Sequence, residues 1–153
     1  MNYEQLKLRN QLCFRLYTAS RLITQSYEPL LRQLGITYTQ YLVLMVLWEE
    51  DHQPVNDIAK KLMLGINTVS PLIKRMEKQG VVARHGTDSD RRQQFVYLTQ
   101  KGKDMKDAAA RIPGCMVEML DNCGVGIDTI MSMMPVLDEF IDKLSLRNKQ
   151  EQR

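Results

Sequence analysis

A cysteine and two tyrosines near the start of the chain have the types and spacing for thiol redox chemistry. Cys13 is followed by Tyr17 four residues later and by Tyr27 fourteen residues later, so all three fall on one face of a helix. A phenol that donates a hydrogen bond to a thiolate stabilises it, and an accessible thiolate is the form that oxidants attack. The alternative is that Cys13 is a small apolar residue of the core, the usual role of a single cysteine on a helix.

The distance along the helix constrains this hypothesis. The fourteen residues from Cys13 to Tyr27 span about 21 Å at about 1.5 Å per residue, so Tyr27 cannot touch Cys13 of its own straight helix. If Tyr27 contributes to the chemistry of the thiol, it must come from a second copy of the chain. The pattern therefore ties redox sensing to a dimer interface.

The elements that carry these residues are predicted from apolar spacing and turn signals. Apolar residues at helical intervals predict a long amphipathic helix over 8–34, ended by Gly35. Thr37 and Gln40 predict a capping box that opens a second helix, which is apolar almost all round and therefore central. After a break at 52–54, the patterns predict helices over 56–63 and 67–79, strands over 81–84 and 95–98, and helices over 99–122 and 127–144.

Turn and cap signals mark the ends of these elements. Leu64 and Gly65 predict a tight turn, Asn67 predicts the cap of the helix that follows, and Pro71 is expected in the first turn of that helix. Thr99 predicts the cap of the helix over 99–122, and the polar tail from Arg147 is expected to fray.

This order, α-α-α-α-β-β-α-α, predicts a mainly α fold in one domain, residues 1–153. Two short helices joined by a tight turn and followed by a hairpin make 55–99 a winged helix-turn-helix. The apolar stripes at the two ends, within 1–35 and 100–146, favour dimerisation helices that build a homodimer. A single chain can also pack such stripes on itself, so the stripes alone leave both arrangements open.

Positive charge is concentrated in the middle of the chain. Eleven lysines and arginines and four acidic residues lie between Lys60 and Lys106, which gives this segment a net charge of +7. Since the whole chain has a net charge of +3, the rest of it carries −4. Such a concentration is typical of proteins that bind a polyanion. A solvated lysine-rich surface is the alternative, and charge alone does not separate the two.

The second short helix has one apolar and one polar face. Its apolar residues are Val69, Leu72, Ile73 and Met76. The polar face carries Thr68, Ser70, Pro71, Lys74, Arg75 and Lys78. We expect Thr68, Ser70 and Arg75 to contact base edges in the major groove. We expect Lys74 and Lys78 to contact phosphates, which position the helix without specifying a sequence.

The tip of the predicted hairpin carries Asp90, Arg91 and Arg92. An arginine on a narrow finger suits the minor groove, whose negative potential attracts guanidinium, and Asp90 is close enough in sequence to brace Arg92. An exposed hairpin with paired charges is the alternative. The neighbouring helix-turn-helix favours the interpretation as a DNA-binding wing.

The run Asp90-x-Arg92, five residues, then Leu98-Thr99 resembles the wing of the MarR family of transcription regulators. The order of helices from about Leu6 to Leu144 resembles that family as well. The resemblance implies an obligate dimer, formed by the end helices, that places two winged lobes on a pseudo-palindromic DNA operator. It also assigns Arg75 to the recognition helix and Arg92 to the minor groove.

The residues that resemble the OhrR branch of this family, the organic hydroperoxide sensors, are Gln11–Phe14, Tyr17, Tyr27, 37–39, Tyr41, 72–77 and 112–114. This resemblance implies that Cys13 is the peroxidatic cysteine and that Tyr17 and Tyr27 are its hydrogen-bonding partners. Oxidation of Cys13 to a sulfenic acid would release the operator and derepress a peroxide-detoxifying gene. The function implied is thus a transcriptional repressor, and not an enzyme.

The sulfenic acid has more than one expected fate. It can condense with a second thiol, and Cys115 or Cys123 could form that intersubunit disulfide. We favour Cys115 because Cys123 abuts a glycine break. A small external thiol is the other route, and packing is the other role of these two cysteines.

Apolar residues expected around the thiol favour a lipid-like organic hydroperoxide over hydrogen peroxide as the effector. They are Phe14, Leu16, Met45, Met116 and Met119. The first alternative function is a MarR-type repressor gated by non-covalent binding of a phenolic or lipid-like ligand. A thiol peroxidase is disfavoured because only Arg15, on a different face, lies near Cys13. A winged-helix protein-interaction module normally lacks a basic recognition face.

Composition disfavours several other classes. Three cysteines are an odd number, which argues against a secreted disulfide framework. The only histidines are His52 and His85, and with no CxxC motif we expect no metal site and no cofactor. No apolar run approaches the roughly 18 residues of a membrane span, and no signal peptide is evident. We therefore expect a cytoplasmic protein with no membrane partner.

Overall fold

The computed structural model describes residues 3–87 and 90–151 and is mainly helical, with one small antiparallel sheet. Two single-turn 3-10 helices, Glu4–Leu6 and Leu8–Asn10, come first. The elements that follow are α1 (Leu12–Gln33), α2 (Tyr38–Glu49), β1 (Gln53–Pro54), α3 (Val55–Lys61), α4 (Ile66–Lys78), β2 (Val82–Thr87), β3 (Asp90–Leu98), α5 (Gln100–Ala109), α6 (Ile112–Asn122) and α7 (Ile127–Glu151). The chain forms two compact units, Met1–Ile112 and Pro113–Arg153.

Helix α2 lies at the centre of the first unit, as its apolar composition predicts. It contacts α1, α3, α4 and α5, and the side chains of Val43 and Leu44 are fully buried. Its predicted capping box is confirmed: the backbone N–H of Gln40 donates to Thr37 Oγ1, and that of Thr37 donates to Gln40 Oε1 at 2.9 Å. A helix that is apolar on all sides can only be accommodated inside a core.

The first long helix begins later than its apolar pattern predicts. Gln11 is extended, with φ −95° and ψ 117°, and α1 starts at Leu12, so Leu8 lies in a 3-10 turn instead. Both kinds of helix place residues three or four apart on one side, and the spacing does not distinguish them. The predicted end at Gly35 is confirmed, because Gly35 adopts φ +69° and the N–H of Ile36 donates to Leu31 O at 3.2 Å.

The sheet has one strand that the sequence did not predict. Gln53 and Pro54, expected to be part of a break, form β1, which pairs antiparallel with β3 through Val96 and Phe95. The strand order is β1-β3-β2, so β1 is an edge strand. A two-residue strand is too short for an alternating pattern, and a proline without an N–H is tolerated at an edge.

The hairpin is also longer than predicted. The strands expected over 81–84 and 95–98 run from Val82 to Thr87 and from Asp90 to Leu98, with an irregular register between Gly86 and Thr87. Its outer residues are polar and therefore lack the apolar alternation by which strands are recognised.

Helix α4 begins one residue before its predicted cap. Gly65, rather than Asn67, is the N-cap, and its carbonyl accepts the N–H groups of Thr68 at 2.9 Å and Val69 at 3.1 Å. Asn67 therefore lies inside the helix, and Pro71 lies in the second turn rather than the first. Pro71 has no N–H for the carbonyl four residues earlier, so its position weakens the early part of the helix.

The helix predicted over 99–122 is two helices. Thr99 caps α5 as expected, accepting the N–H of Gly102 at 3.2 Å, but α5 ends at Ala109 and α6 begins at Ile112. Pro113, the second residue of α6, explains the break, because its ring would clash with the carbonyl four residues earlier in a continuous helix.

Helix α7 continues beyond the predicted polar tail and ends at Glu151. The tail is rich in Lys, Gln and Glu, which are good helix formers, so its polarity does not end the helix. With these differences in detail, the mainly α winged helix-turn-helix is confirmed. The division into one domain with dimerisation helices over 1–35 and 100–146 stays a prediction.

Among the described residues, no single helix is both long and apolar enough to cross a membrane. Helices α1 and α2 meet those criteria only when they are taken together, and they are bent by 73° where they join.

Candidate DNA interface and thiol site

Helix α4 presents the face that the sequence predicts for DNA reading. Its four predicted inward residues are buried: Val69, Leu72, Ile73 and Met76. The predicted reading residues are all exposed: Thr68, Ser70, Pro71, Lys74, Arg75 and Lys78. Burial of one face therefore fixes the rotation of α4 about its axis and turns the hydroxyls and cations outward.

The three cations of α4 are available for an external partner. Within the part of the chain that the structure describes, Lys74, Arg75 and Lys78 form no ion pair. Glu77, the acidic residue of the same helix, is paired with Arg84 instead. The positive charge on the exposed face of α4 is therefore not neutralised from within the described chain.

The turn between α3 and α4 is tight because Met63 adopts a left-handed conformation with φ +54°. The N–H of Leu64 donates to Ala59 O at 3.0 Å, closing the end of α3 in the way that a glycine usually does. Sequence reasoning placed this turn at Leu64 and Gly65 and missed the role of Met63, which has no side-chain signal for such a conformation.

A salt bridge joins α4 to the wing, the hairpin formed by β2 and β3. Arg84 on β2 donates from Nε at 3.0 Å and from Nη2 at 2.6 Å to Glu77 Oε2, and from Nη1 at 2.9 Å to Gln94 Oε1 on β3. The Arg84 and Glu77 side chains are only 21% and 34% exposed. The sequence placed Arg84 in a predicted strand and in the basic segment but gave it no partner, because no local pattern reveals a contact between a helix and a strand.

The base of the wing is held by an aromatic cluster and an aspartate. The rings of His52 and His85 contact each other, and both stack on Phe95, with centroids 5.1 and 5.7 Å away. Asp51 Oδ1 accepts the N–H of Leu98 at 2.9 Å. The wing is thereby fixed at its base to the turn that follows α2.

The predicted wing-tip contacts lie at the edge of what the structure describes. Asp90, Arg91 and Arg92 are part of β3 by their backbones, but their side chains lie outside the described residues, as do residues 88 and 89. Their assignment to the minor groove stays a prediction.

The three cysteines are free thiols and all are exposed. Cys13 and Tyr17 lie four residues apart on α1, and Tyr17 is 66% exposed. The exposure of Cys13 shows that it is not packed in the core of its own chain. Cys115 lies on α6 in the second unit, and Cys123 follows the end of that helix.

Tyr27 lies on the same helix as Cys13, and its surroundings are different. Its ring packs against Tyr38 at 5.0 Å and Tyr41 at 6.1 Å, both on α2. Burial, followed by the neighbouring phenols of Tyr38 and Tyr41, raises the pKa of Tyr27 above 10.0 and so keeps it protonated as a hydrogen-bond donor. Since α1 is continuous from Cys13 to Tyr27, the two are about 21 Å apart along the helix.

Tyr38 and Tyr41 are parts of this site that sequence reasoning did not assign. They were named only among the residues that resemble the hydroperoxide-sensing branch, although a cluster of tyrosines around a capping box is visible in the sequence. We define the tyrosine cluster as Tyr27, Tyr38 and Tyr41.

Comparison with known proteins shows which family this chain belongs to. A model described as transcriptional regulator SarA/Rot matches residues 25–109. The organic hydroperoxide resistance transcriptional regulator of Bacillus subtilis (strain 168) is 39% identical over 137 residues, which are 90% of this chain and 93% of that protein. This chain belongs to the SarA/MarR family of winged-helix transcriptional regulators. Members of the family are DNA-binding regulators, not enzymes.

Solved structures agree with the fold. Reduced AbfR bound to DNA is 40% identical, with a TM-score of 0.76 and coverage of 94% of this chain and 99% of that one. A disulfide-containing form of AbfR, also 40% identical, has a TM-score of 0.59 and covers 90% and 95%. AbfR is a protein of Staphylococcus epidermidis. The expected resemblance to MarR regulators, including the hydroperoxide-sensing branch, is confirmed.

Proposed function

We propose that two copies of this chain form a repressor that binds a pseudo-palindromic DNA operator and releases it when an organic hydroperoxide oxidises Cys13. The observation that carries the proposal is the exposed pair Cys13 and Tyr17 on α1, in a regulator 39% identical to an organic hydroperoxide resistance regulator. The protein acts in the cytoplasm, where thiols stay reduced until an oxidant reaches them.

In this proposal α4 enters the major groove of double-stranded DNA. Thr68, Ser70 and Arg75 read base edges, and Lys74 and Lys78 bind phosphates beside Pro71. The exposure of these residues and the free charge of the three cations support the assignment. On the wing, Asp90 braces Arg92, and Arg91 and Arg92 approach the minor groove.

Large exposed apolar surfaces support the homodimer. On α1 they include Leu12, Phe14, Leu16, Leu22 and Ile23, and on α7 Met131, Met134, Val136, Leu137, Phe140, Ile141 and Leu144. Soluble monomers rarely expose contiguous apolar patches larger than a few hundred Å². A second copy that covers these faces also brings its Tyr27 to Cys13, which the first chain's own helix cannot do.

The chemistry of sensing is a two-electron oxidation of Cys13. Its thiolate attacks the terminal oxygen of the hydroperoxide, an S–O bond forms as the O–O bond breaks, and the departing alkoxide takes a proton to leave as the alcohol. Cys13 becomes a sulfenic acid. A second thiol then attacks this sulfur and expels water, giving a disulfide, with Cys115 favoured over Cys123 as the donor. The disulfide form of AbfR supports this second step.

A repressor gated by a non-covalent phenolic or lipid-like ligand is the second candidate. An open groove of about 430 Å³ between α1 and the start of α2 favours it, because a groove of this size admits a small aromatic ligand. Its lining combines the apolar Leu31 and Ile36 with polar and charged side chains, among them Glu28 and Arg32. In that case the oxidation of Cys13 is incidental.

The variant Cys13→Ser separates the two. Affinity is measured by fluorescence anisotropy with a duplex enriched from a random pool by the reduced protein, before and after one equivalent of cumene hydroperoxide. We expect the wild type and Cys123→Ser to release DNA and Cys13→Ser to hold it. Release by Cys13→Ser would overturn cysteine sensing. Cys115→Ser is expected to stop at sulfenic acid in intact mass spectra.

The effector class is tested with the same protein. We expect cumene hydroperoxide to oxidise Cys13 about tenfold faster than hydrogen peroxide, because burial of its apolar ring against the thiol site stabilises the encounter by about 1.4 kcal/mol. Equal rates would contradict the assignment to organic hydroperoxides.

A further inference from the structure

The side chain of Gln40 connects two helices inside the core. It is 4% exposed, and it is one of two polar side chains buried in the part of the chain that the structure describes. Its Oε1 accepts the N–H of Thr37 at 2.9 Å, which closes the capping box of α2. Its Nε2 donates to Gln79 Oε1 at 3.0 Å, across 39 residues of sequence. The capping box does not require this second bond.

Gln79 is the C-cap residue of α4. Its backbone N–H donates to Arg75 O at 3.0 Å, so it is bonded directly to the carbonyl of a predicted DNA-reading residue. An open cleft of about 520 Å³ is lined by Gln40 and Gln79 together with Arg75 and Lys78. A displacement of Gln79 therefore acts on the last turn of α4, where these two cations lie.

The same first turn of α2 also faces the tyrosine cluster. Tyr38 and Tyr41, which flank Gln40 in sequence, pack against Tyr27 of α1 at 5.0 and 6.1 Å. The capping box makes this turn rigid, because its first N–H groups are bonded to side chains of the turn itself. Since Gln40 lies in the same bonded turn as Tyr38 and Tyr41, we expect a shift of the two tyrosines to carry Gln40 with it.

We propose that Gln40 and Gln79 are positioning residues that transmit the state of the tyrosine cluster to the DNA-reading helix α4. The inference rests on the proposed function, since it supplies the route from oxidised Cys13 to release of DNA. While the tyrosine cluster is undisturbed, the hydrogen bond holds the last turn of α4 in place. When the hydrogen bond from Tyr27 to the thiol of the partner chain is lost, the first turn of α2 moves and the position of α4 changes.

Substitutions at Gln79 test the inference, because this residue is exposed and its own side chain fills no part of the apolar core. Gln79→Ala removes the acceptor for Gln40, whereas Gln79→Glu keeps an acceptor oxygen. Gln100→Ala, at an exposed glutamine on α5, is the matched control. Each protein is treated with one equivalent of cumene hydroperoxide. Intact mass spectrometry then gives the oxidation of Cys13, and anisotropy gives the ratio of the oxidised to the reduced Kd for DNA.

We expect the ratio of Kd values to fall at least about fivefold in Gln79→Ala, while Cys13 oxidises at the wild-type rate. Gln79→Glu should retain a ratio within about twofold of wild type even if its added charge weakens both states. Gln40→Leu should lose at least as much as Gln79→Ala, because it removes the bond to Gln79 and also the capping-box bond from Thr37. The double variant should lose no more than Gln40→Leu alone, because the bond between Gln40 and Gln79 is already absent in each single variant.

Each result decides something. If Gln79→Ala keeps the wild-type ratio of oxidised to reduced Kd, the inference is overturned and the proposed function still stands. The same holds if Gln79→Glu loses as much of this ratio as Gln79→Ala. A change in reduced affinity or thermal stability with an unaltered ratio assigns Gln79 a structural role alone and also overturns it. A wild-type ratio of one, with Cys13 oxidised, overturns the proposed function and the inference together.

Discussion

The winged region and the thiol region differ in how their functional side chains are positioned. The exposed face of α4 is oriented by burial of Val69 and Ile73 and by the bond from Arg84 to Glu77, all within one chain. Cys13 has no such support, since it lies on an exposed face and about 21 Å along the helix from Tyr27. A single chain can therefore position its reading surface by itself, whereas the proposed sensor is complete only in an assembly.

The largest expected effect comes from a variant that dissociates the proposed dimer into single chains. Ile141→Glu places a charge on an exposed apolar face of α7, where it harms no core of its own chain but would be buried unpaired in a dimer. We expect a monomer by analytical ultracentrifugation and at least about a hundredfold loss of operator affinity. Oxidation of Cys13 should also slow because the partner's tyrosine is lost.

Glu139→Gln, on the same helix, is the control for Ile141→Glu, and it should remain a dimer. If Ile141→Glu remained dimeric with full affinity, the proposed interface on α7 would be wrong.

The second test concerns the reading surface itself. We expect Arg75→Ala to weaken binding to the operator by about 1–3 kcal/mol, with a much smaller effect on random duplex. Lys78→Ala should weaken binding to both and reduce the slope of log K against log salt by about one. The two variants are compared by anisotropy at several salt concentrations. Indistinguishable behaviour of the two would remove the distinction between base reading and phosphate contact.

The third test loosens the support of the wing. Glu77→Gln removes the charge that holds Arg84, and we expect a loss of about 1 kcal/mol in the free energy of unfolding and about fivefold in DNA affinity. Asp57→Asn, in the exposed pair with Lys60, is the matched control and should change neither. Denaturant unfolding and anisotropy measure the two quantities. An equal effect in both variants would show that the salt bridge between Arg84 and Glu77 does not contribute more than an exposed ion pair does.

The smallest expected effect is on pH dependence. Burial raises the pKa of Tyr27 above 10.0, so above that pH the folded chain keeps a proton that the unfolded chain has lost. The contribution of Tyr27 to the free energy of unfolding should therefore be constant below pH 10 and fall as the pH rises through the folded pKa, and the raised pKa of Tyr41 acts in the same direction. Denaturant unfolding from pH 8 to about 11 checks this, and the slope should be shallower in Tyr27→Phe. A steeper slope in that variant would contradict the assignment to Tyr27.

The reading surface was the part most open to sequence reasoning. The inward residues of α4, the stop at Gly35 and the cap at Thr37 follow from local patterns of burial and hydrogen bonding. Strand β1 was missed because two residues are too few to show an alternating pattern. The break before Pro113 was missed because apolar residues at helical spacing continue across it.

Contacts between distant segments could not be derived from local patterns. The bond between Gln40 and Gln79 and the bridge between Arg84 and Glu77 depend on tertiary packing, which gives no periodic signal. The thiol site was proposed from spacing and resemblance, and the need for a second chain came from helix length alone. In that proposal Tyr27 comes from a partner chain, whose position one sequence does not display.

The first turn of α2 limits how freely the parts of this regulator can be exchanged. Tyr38 and Tyr41 match the surface of α1, and Gln40 matches the end of α4, so five consecutive residues, 37–41, must fit both neighbours at once. A chimera that joins this winged region to the sensor helices of another regulator would need to choose the origin of that segment. If Gln40 and Gln79 couple the two regions as proposed, a segment taken from either parent would fit only one of its two neighbours, and we expect such a chimera to bind DNA without responding to an oxidant.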